Sequence, residues 1–181
     1  MKIITLLLKK NDLERSDSIL NVILKVHGDN FFFYIKKAEF FAEHDHLDSS
    51  GYYYALAINE KKDAIVYFDK SNAKESLLDV FKKARIVFDR IIDKTPNNSI
   101  HLCNRGIVKK ELGMYEDAIV DFNKSLYYEE NFLTYFNRAI SFWKMNDTIN
   151  AIKDYSECIR LNPNYYPVYL NRGFCYTAIG E

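Results

Sequence analysis

One short motif returns at a nearly constant interval along the second half of this chain. Asn104-Arg105-Gly106 recurs as Asn137-Arg138-Ala139 and again as Asn171-Arg172-Gly173. A repeat of roughly 20–50 residues is typical of solenoids, in which each unit packs on its neighbours. The interval therefore favours a linear array of small units over one central core.

Three columns of similar residues continue this register at the same interval. The first column consists of small residues: Ser16, Ser50, Ala84, Ala118 and Ala151. The second is small at all but one position: Ala38, Asn72, Gly106, Ala139 and Gly173. The third holds residues that tolerate a left-handed backbone: Asn11, Asp45, Asp79, Gly113, Asn146 and Gly180. We expect helices to cross at the small columns and to turn at the third.

Between the columns the apolar residues follow a helical period. A helix is predicted from about Ser99 to Leu112 and another from about Tyr115 to Tyr128, with Gly113 at the turn between them. Pro96 and Pro163 each follow a small-column alanine at the same distance, and we expect them to end the second helix of their units. The pattern predicts an all-α chain of helical hairpins.

This unit resembles the tetratricopeptide repeat, a helix–turn–helix of about 34 residues with small residues, an Ala-x3-Phe pair and a proline. The resemblance implies a right-handed superhelical solenoid of antiparallel helix pairs, formed by residues 1–181 as about five units. The expected units are about 31–64, 65–98, 99–131 and 132–165, with partial units at 1–30 and 166–181. The units at 99–131 and 132–165 match the family pattern best.

The sequence stops at Gly180-Glu181, where the family pattern continues into a second helix. We expect the chain to be a fragment of a longer repeat protein. The alternative is a natural stop with the last helix covered by a second copy, which would give a homo-oligomer through exposed end units.

The first helices of such repeats line a concave groove, so the resemblance assigns a set of candidate peptide-binding residues. They are Asn104, Ile107, Leu133, Phe136, Asn137, Ile140, Trp143, Leu170, Asn171 and Phe174. The three asparagines form a column of carboxamides, which can pair with a peptide backbone because each has a donor and an acceptor. The apolar members predict a docking surface for a peptide or an amphipathic helix. The alternatives are that the carboxamides are simply solvated and that solenoid packing covers the apolar side chains.

Some members of the family hold the C-terminal carboxylate of heat-shock chaperones in a clamp of Lys, Asn and Arg side chains. In this chain only the Asn column of that clamp is present. The positions expected for its basic partners hold Ile35, Cys103, Ile107, Leu133, Phe136 and Pro167. We therefore expect that this chain does not take such a ligand.

Two further clusters have structural interpretations. Arg105, Arg138 and Arg172 form a column that we expect to pair with acids on adjacent helices, the alternative being a ladder that binds phosphate or carboxylate. The run from Glu43 to Asp48 contains two histidines, but no further His or Cys joins it from nearby sequence. We interpret it as a polar turn and predict no metal.

The amino-acid composition argues against nucleic-acid binding and against a membrane span. Lys plus Arg and Asp plus Glu both number 25, and zero net charge does not favour nucleic-acid binding. No stretch approaches the roughly 20 apolar residues of a membrane span. Three widely spaced cysteines indicate neither a disulfide framework nor a zinc site, so we expect a reducing, cytoplasmic setting.

The sequence has no phosphate-binding glycine loop and no recognisable catalytic dyad, so we predict no enzyme activity and no cofactor. We expect a non-catalytic protein–protein interaction module that binds a peptide or helix of a partner protein in its concave groove. The alternatives are a self-assembling scaffold module and the docking arm of a larger enzyme.

Overall fold

The computed structural model describes residues 18–19, 21–22, 31–60 and 73–180. Its longer elements are α1 Phe31–Glu43, α2 Leu47–Asn59, α3 Ala73–Lys94, α4 Ser99–Glu111, α5 Tyr115–Tyr128, α6 Phe132–Lys144, α7 Thr148–Leu161 and α8 Tyr166–Ile179. The described residues contain no strand, and the expected all-α fold is confirmed. Asn11, Ser16, Asn72 and most of the expected partial unit at 1–30 lie outside the described residues. The chain divides into two compact units, residues 1–87 and 88–181.

In the first unit, α1 and α2 form a hairpin that turns at Asp45. The φ of Asp45 is 60°, as predicted for its column. Ala38 and Ser50 belong to the two small columns, and both are fully buried. Their helices come so close that Ser50 Oγ donates to the Ala38 carbonyl oxygen over 2.7 Å. The small columns therefore mark a helix crossing.

A polar cluster connects α1 with α3. Glu39 lies 2.6 Å from Lys36 Nζ and 2.9 Å from Lys83 Nζ. Burial opposes ionisation of this carboxyl group, but the hydrogen bonds and charges of the two lysines outweigh it and lower the pKa of Glu39. Glu39 is therefore held as a carboxylate between two cations.

The turn predicted at Asp79 is wrong, because α3 runs without interruption from Ala73 to Lys94. Asp79 lies inside this helix and pairs with Lys83 one turn later, over 3.0 Å. No glycine or proline interrupts the helix. A left-handed conformation costs an L-residue about 1–2 kcal/mol, while an i,i+4 pair favours the helix. A residue that tolerates a turn does not impose one.

In the second unit, α4 pairs with α5 and α6 pairs with α7. The turns lie at Gly113 and Asn146, with φ of 79° and 61°, as predicted. The helices α3 and α7 end two residues before Pro96 and Pro163, also as predicted. Side-chain oxygens of residues just before three helices accept backbone N–H bonds and fix where those helices begin. These residues are Asn98, Asn131 and Asp147.

The hairpins close on aromatic rings that pack into the small columns. A Cβ added at Gly106 would lie 2.6 Å from Phe122 Cε1, so the ring occupies the space that a side chain would need. Phe122 itself is fully buried. In the next hairpin, Ala139 and Ala151 join Tyr155 in a buried cluster. This packing sets the distance between paired helices and holds α4 and α6 in position.

Candidate functional site

The predicted arginine column forms ion pairs between helices. Arg105 of α4 makes a two-bond pair with Asp121 of α5, with N–O distances of 2.8 and 2.6 Å. Its third nitrogen lies 3.1 Å from Asp89, on the helix before α4. Arg105 therefore connects α4 to the preceding helix, α3, and to the following helix, α5. This confirms the expectation that the arginines pair with acids on adjacent helices.

The same arrangement returns one repeat later. Arg138 of α6 makes two 2.7 Å bonds to Asp154 of α7 and a further 2.7 Å bond to Asn123 of α5. Burial outweighs the attraction of Arg138 and raises the pKa of Asp154. Arg105 and Arg138 are thus occupied by protein groups and do not form a free ladder for phosphate.

A concavity in the second unit lies where α4 and α6 begin. A cavity of about 80 Å³ opens there. Its lining residues come from α4, the end of α5, the α5–α6 loop and the start of α6: Ser99, Ile100, Cys103, Asn104, Ser125, Glu129, Asn131, Leu133 and Thr134. Ile100 and Leu133 are 63% and 41% exposed. Two predicted groove residues, Asn104 and Leu133, therefore meet at one opening.

The three asparagines of the predicted carboxamide column have different surroundings. Asn104 is half-buried in the cavity wall, and its side chain makes no hydrogen bond to any residue that the structure describes. Asn137 is buried, accepts a 2.7 Å bond from Lys110 Nζ and donates a 2.8 Å bond to the Leu133 carbonyl oxygen. Asn171 is half-buried in α8. Protein groups therefore occupy the carboxamide of Asn137, and Asn104 is the member of the column that lies in the cavity wall.

The apolar groove candidates become more exposed along the second unit. Ile107 of α4 is buried, while Phe136, Ile140 and Trp143 of α6 are half-buried and pack against the cluster around Tyr155. Leu170 and Phe174 of α8 are each 66% exposed. In α4 and α6 neighbouring helices cover much of this face, whereas in α8 it stays open among the described residues. A role of these residues in binding stays a prediction.

Several residues of the cavity wall escaped the sequence analysis because they lie outside the helical columns. Ser125 and Thr134 are fully buried polar residues, and Ser125 Oγ donates to the Ser99 carbonyl oxygen over 2.8 Å. Ser99 Oγ in turn donates to Glu129 over 2.6 Å. The only signal in the sequence was their position at helix ends, where side chains often bind free backbone groups.

Nucleophilic chemistry is not favoured at this cavity. Cys103 lies in its wall, and burial raises the pKa of the thiol to about 11. The reactive thiolate is therefore scarce near neutral pH. In the hairpin of α1 and α2, His44 Nδ1 lies 2.8 Å from the Phe40 carbonyl oxygen, and His46 packs edge-on against Phe41. The described ranges contain no group of three potential metal ligands, and none of their helices is long and apolar enough to cross a membrane.

Two family profiles match this part of the chain. Profiles described as tetratricopeptide repeat match residues 102–132 and residues 133–165, which correspond to the α4–α5 and α6–α7 hairpins. The repeat length and the small columns of the sequence indicate the same family as these two matches. The chain belongs to the tetratricopeptide repeat family.

Curated proteins are similar to parts of this chain. Tetratricopeptide repeat protein 6 of Homo sapiens is 35% identical over 98 residues, which cover 53% of this chain and 18% of that protein. Hsp70-Hsp90 organizing protein 3 of Arabidopsis thaliana is 31% identical over 127 residues, which cover 70% of this chain and 20% of that protein. The chain spans about a fifth of the length of these relatives.

Solved structures share the fold. MamA has a TM-score of 0.56 at 22% identity, with 61% of this chain and 65% of that chain covered. The first tetratricopeptide repeat domain of Spaghetti (RPAP3), bound to an HSP90 peptide, has a TM-score of 0.54 at 20% identity, with 70% and 94% covered. YrrB, a tetratricopeptide repeat protein with an unusual peptide-binding site, has a TM-score of 0.52 at 14% identity, with 88% and 82% covered.

Proposed function

We propose that this chain is a non-catalytic protein-interaction module that binds an extended peptide of a partner protein along α4 and α6. The observation that carries the proposal is the cavity of about 80 Å³ between the starts of these helices, with exposed Ile100 and Leu133 at its opening. Exposed apolar side chains around a concave opening are typical of binding sites. The peptide complex of Spaghetti and the peptide-binding site of YrrB support a peptide as the class of ligand.

The chemistry of the cavity specifies how the peptide is held. The Asn104 carboxamide supplies a donor and an acceptor to the peptide backbone, independent of the peptide's side chains. Ile100 and Leu133 flank the opening, so a small apolar side chain of the peptide enters between them.

The same surroundings argue against a ligand held by its terminal carboxylate. Cys103 contributes a neutral thiol and Phe136 an aromatic ring at positions where a carboxylate clamp needs cations. Lys110, the cation nearest to the column, binds Asn137 over 2.7 Å and Glu111 over 2.9 Å. The proposed ligand is therefore an internal, largely uncharged peptide segment.

Peptides selected from a random display library on the full chain test the proposal. We expect Leu133→Glu and Asn104→Ala each to weaken the selected peptides by about tenfold or more, since a peptide contact of this kind contributes about 1–2 kcal/mol. Val120→Glu is the matched control, because Val120 is 50% exposed on α5 and does not line the cavity. The HSP90 peptide SRMEEVD, seen with Spaghetti, is the negative-control ligand.

Fluorescence anisotropy measures these affinities. The proposal fails if the groove variants bind as tightly as the original chain, or if Val120→Glu weakens binding to the same degree. Tight binding of the HSP90 peptide would contradict the uncharged ligand and support a terminal carboxylate instead.

A further inference from the structure

One charged side chain lies in the wall of the cavity between α4 and α6. Among the described residues that line this cavity, Glu129 is the one that carries a charge, and it follows the last residue of α5. The other lining residues are apolar or neutral polar residues. Lys110 does not line the cavity, and its ammonium group bonds Asn137 and Glu111. The opening therefore has a negative charge and no cation in its wall.

The Glu129 carboxylate is held at one oxygen and open at the other. Its Oε2 accepts a 2.6 Å hydrogen bond from Ser99 Oγ at the start of α4. No residue that the structure describes bonds its Oε1, and the side chain is exposed. The bond to Ser99 orients the carboxylate before a ligand arrives, which reduces the entropy lost on binding. Oε1 is therefore available to a hydrogen-bond donor of the ligand.

The helix ends around the cavity leave this negative charge in place. Glu129 is the C-terminal cap of α5, and a helix C-terminus carries about half a negative charge. The N-termini of α4 and α6 carry the opposite partial charge. There the side-chain oxygens of Asn98 and Asn131 accept the backbone N–H bonds of His101 and Leu133. The caps thus use donors of both N-termini, whereas the carboxylate charge faces solvent at the opening.

We propose that the peptide bound at this cavity carries a lysine or arginine within two residues of the side chain that enters the opening, and that Glu129 binds its cationic group. The peptide is that of the proposed function, on which this inference rests. The aliphatic stems of Lys and Arg pack on apolar surface, which exposed Ile100 and Leu133 supply. Two residues of an extended peptide span about 7 Å, so one wall contacts both side chains. Charge complementarity then selects the cation.

Peptide selection on two forms of the full chain tests the preference for a cation. A random display library is selected on the original chain and, in parallel, on Glu129→Lys. We expect the first selection to enrich Lys or Arg within two residues of a small apolar residue. The second should enrich Asp or Glu there instead, because the variant inverts the charge at the same place in the wall. The same consensus from both selections would overturn the inference.

Fluorescence anisotropy then measures the contact itself. A selected peptide is made in two forms, one with its basic residue and one with uncharged norleucine in that place, both acetylated so that the terminal amine is not the cation. Glu129→Gln should weaken the basic form about fivefold, as expected for a partly exposed ion pair, and leave the norleucine form unchanged. The melting temperature should not change, because glutamine keeps an acceptor for Ser99.

Two further variants separate the possible failures. Glu130→Gln is the matched control, because Glu130 is exposed beside Glu129, accepts bonds from Arg160 and Tyr135, and does not line the cavity. An equal loss in Glu130→Gln would mean that diffuse charge attracts the peptide, which overturns the inference. Asn104→Ala should weaken both peptide forms. If it does so and Glu129→Gln affects neither form, the inference fails and the proposed function stands. If neither variant affects binding, both fail.

Discussion

Replacing Gly106 and Gly173 by alanine, one at a time, tests whether the Phe122 ring fixes the hairpin spacing. Both glycines lie in the middle of a helix at the same repeat position. Alanine gains about 1 kcal/mol over glycine in a helix interior, and this gain applies at both sites. The difference between the two changes in the free energy of unfolding therefore isolates the contact made by the new methyl group.

The structure sets the size of that difference. At Gly106 the methyl carbon would meet three ring atoms of Phe122 at 2.6, 2.8 and 3.0 Å, whereas carbon atoms pack at about 3.5–4.0 Å. Phe122 is fully buried and has little room to move. Overpacking of this kind costs about 1–3 kcal/mol. At Gly173 the methyl group meets nothing within 4 Å among the described residues. We expect Gly173→Ala to stabilise the chain and Gly106→Ala to leave it about 1–3 kcal/mol below that variant.

Urea denaturation followed by far-ultraviolet circular dichroism measures both free energies, with an unchanged slope indicating an unchanged folded state. Adding Phe122→Leu to Gly106→Ala provides the cycle that assigns the cost to this pair. A difference between the two alanine variants below about 0.5 kcal/mol would refute the argument, because overpacking costs more than that.

Three further predictions concern charges and thiols. Arg138→Met should lower the free energy of unfolding by about 3–5 kcal/mol in urea titrations, because it leaves the buried Asp154 carboxylate without its partner. Lowering the pH should restore part of this loss, because it protonates the unpaired carboxylate. Folding lowers the pKa of Glu39, so its contribution to the free energy of unfolding is present above the pKa of an unfolded glutamate and is lost as pH falls through the folded pKa. Glu39→Gln should therefore make the melting temperature depend less on pH in the acid range. Burial raises the pKa values of the Cys103 and Cys158 thiols to about 11 and about 12, so iodoacetamide should label them at the rate of unfolding, and rapid labelling of the native chain would contradict their burial.

The sequence was sufficient to predict the helical hairpins, because their spacing depends on small residues that recur at fixed intervals. Asp45, Gly113 and Asn146 adopt the left-handed turn that their column predicted. Asp79 does not, because its neighbours favour a helix and Lys83 pairs with it one turn later. A turn-tolerant residue therefore predicts a turn only where the flanking sequence also stops the helix.

The candidate site was less predictable, because identical residues acquire different partners. Asn104 and Asn137 look equivalent in the sequence, yet Lys110 reaches Asn137 and no described residue bonds the side chain of Asn104. The difference depends on the conformation that the long Lys110 side chain of a neighbouring helix adopts in the folded chain. A repeat register assigns positions to a surface, but it does not show which of them packing leaves open.

The arginine contacts also have a consequence for how the second unit opens. Arg138 bonds Asn123 of α5 and Asp154 of α7, so neither of these helices separates from α6 without breaking a charged hydrogen bond. Amide protons of α5, α6 and α7 should then exchange with solvent in shared opening events and not helix by helix. Arg172 of α8 bonds Ser156 of α7 over 3.1 Å, and Val168 and Cys175 of α8 are buried in the same cluster as Tyr155. The arginine contacts thus join α5, α6 and α7 into one cooperatively opening body.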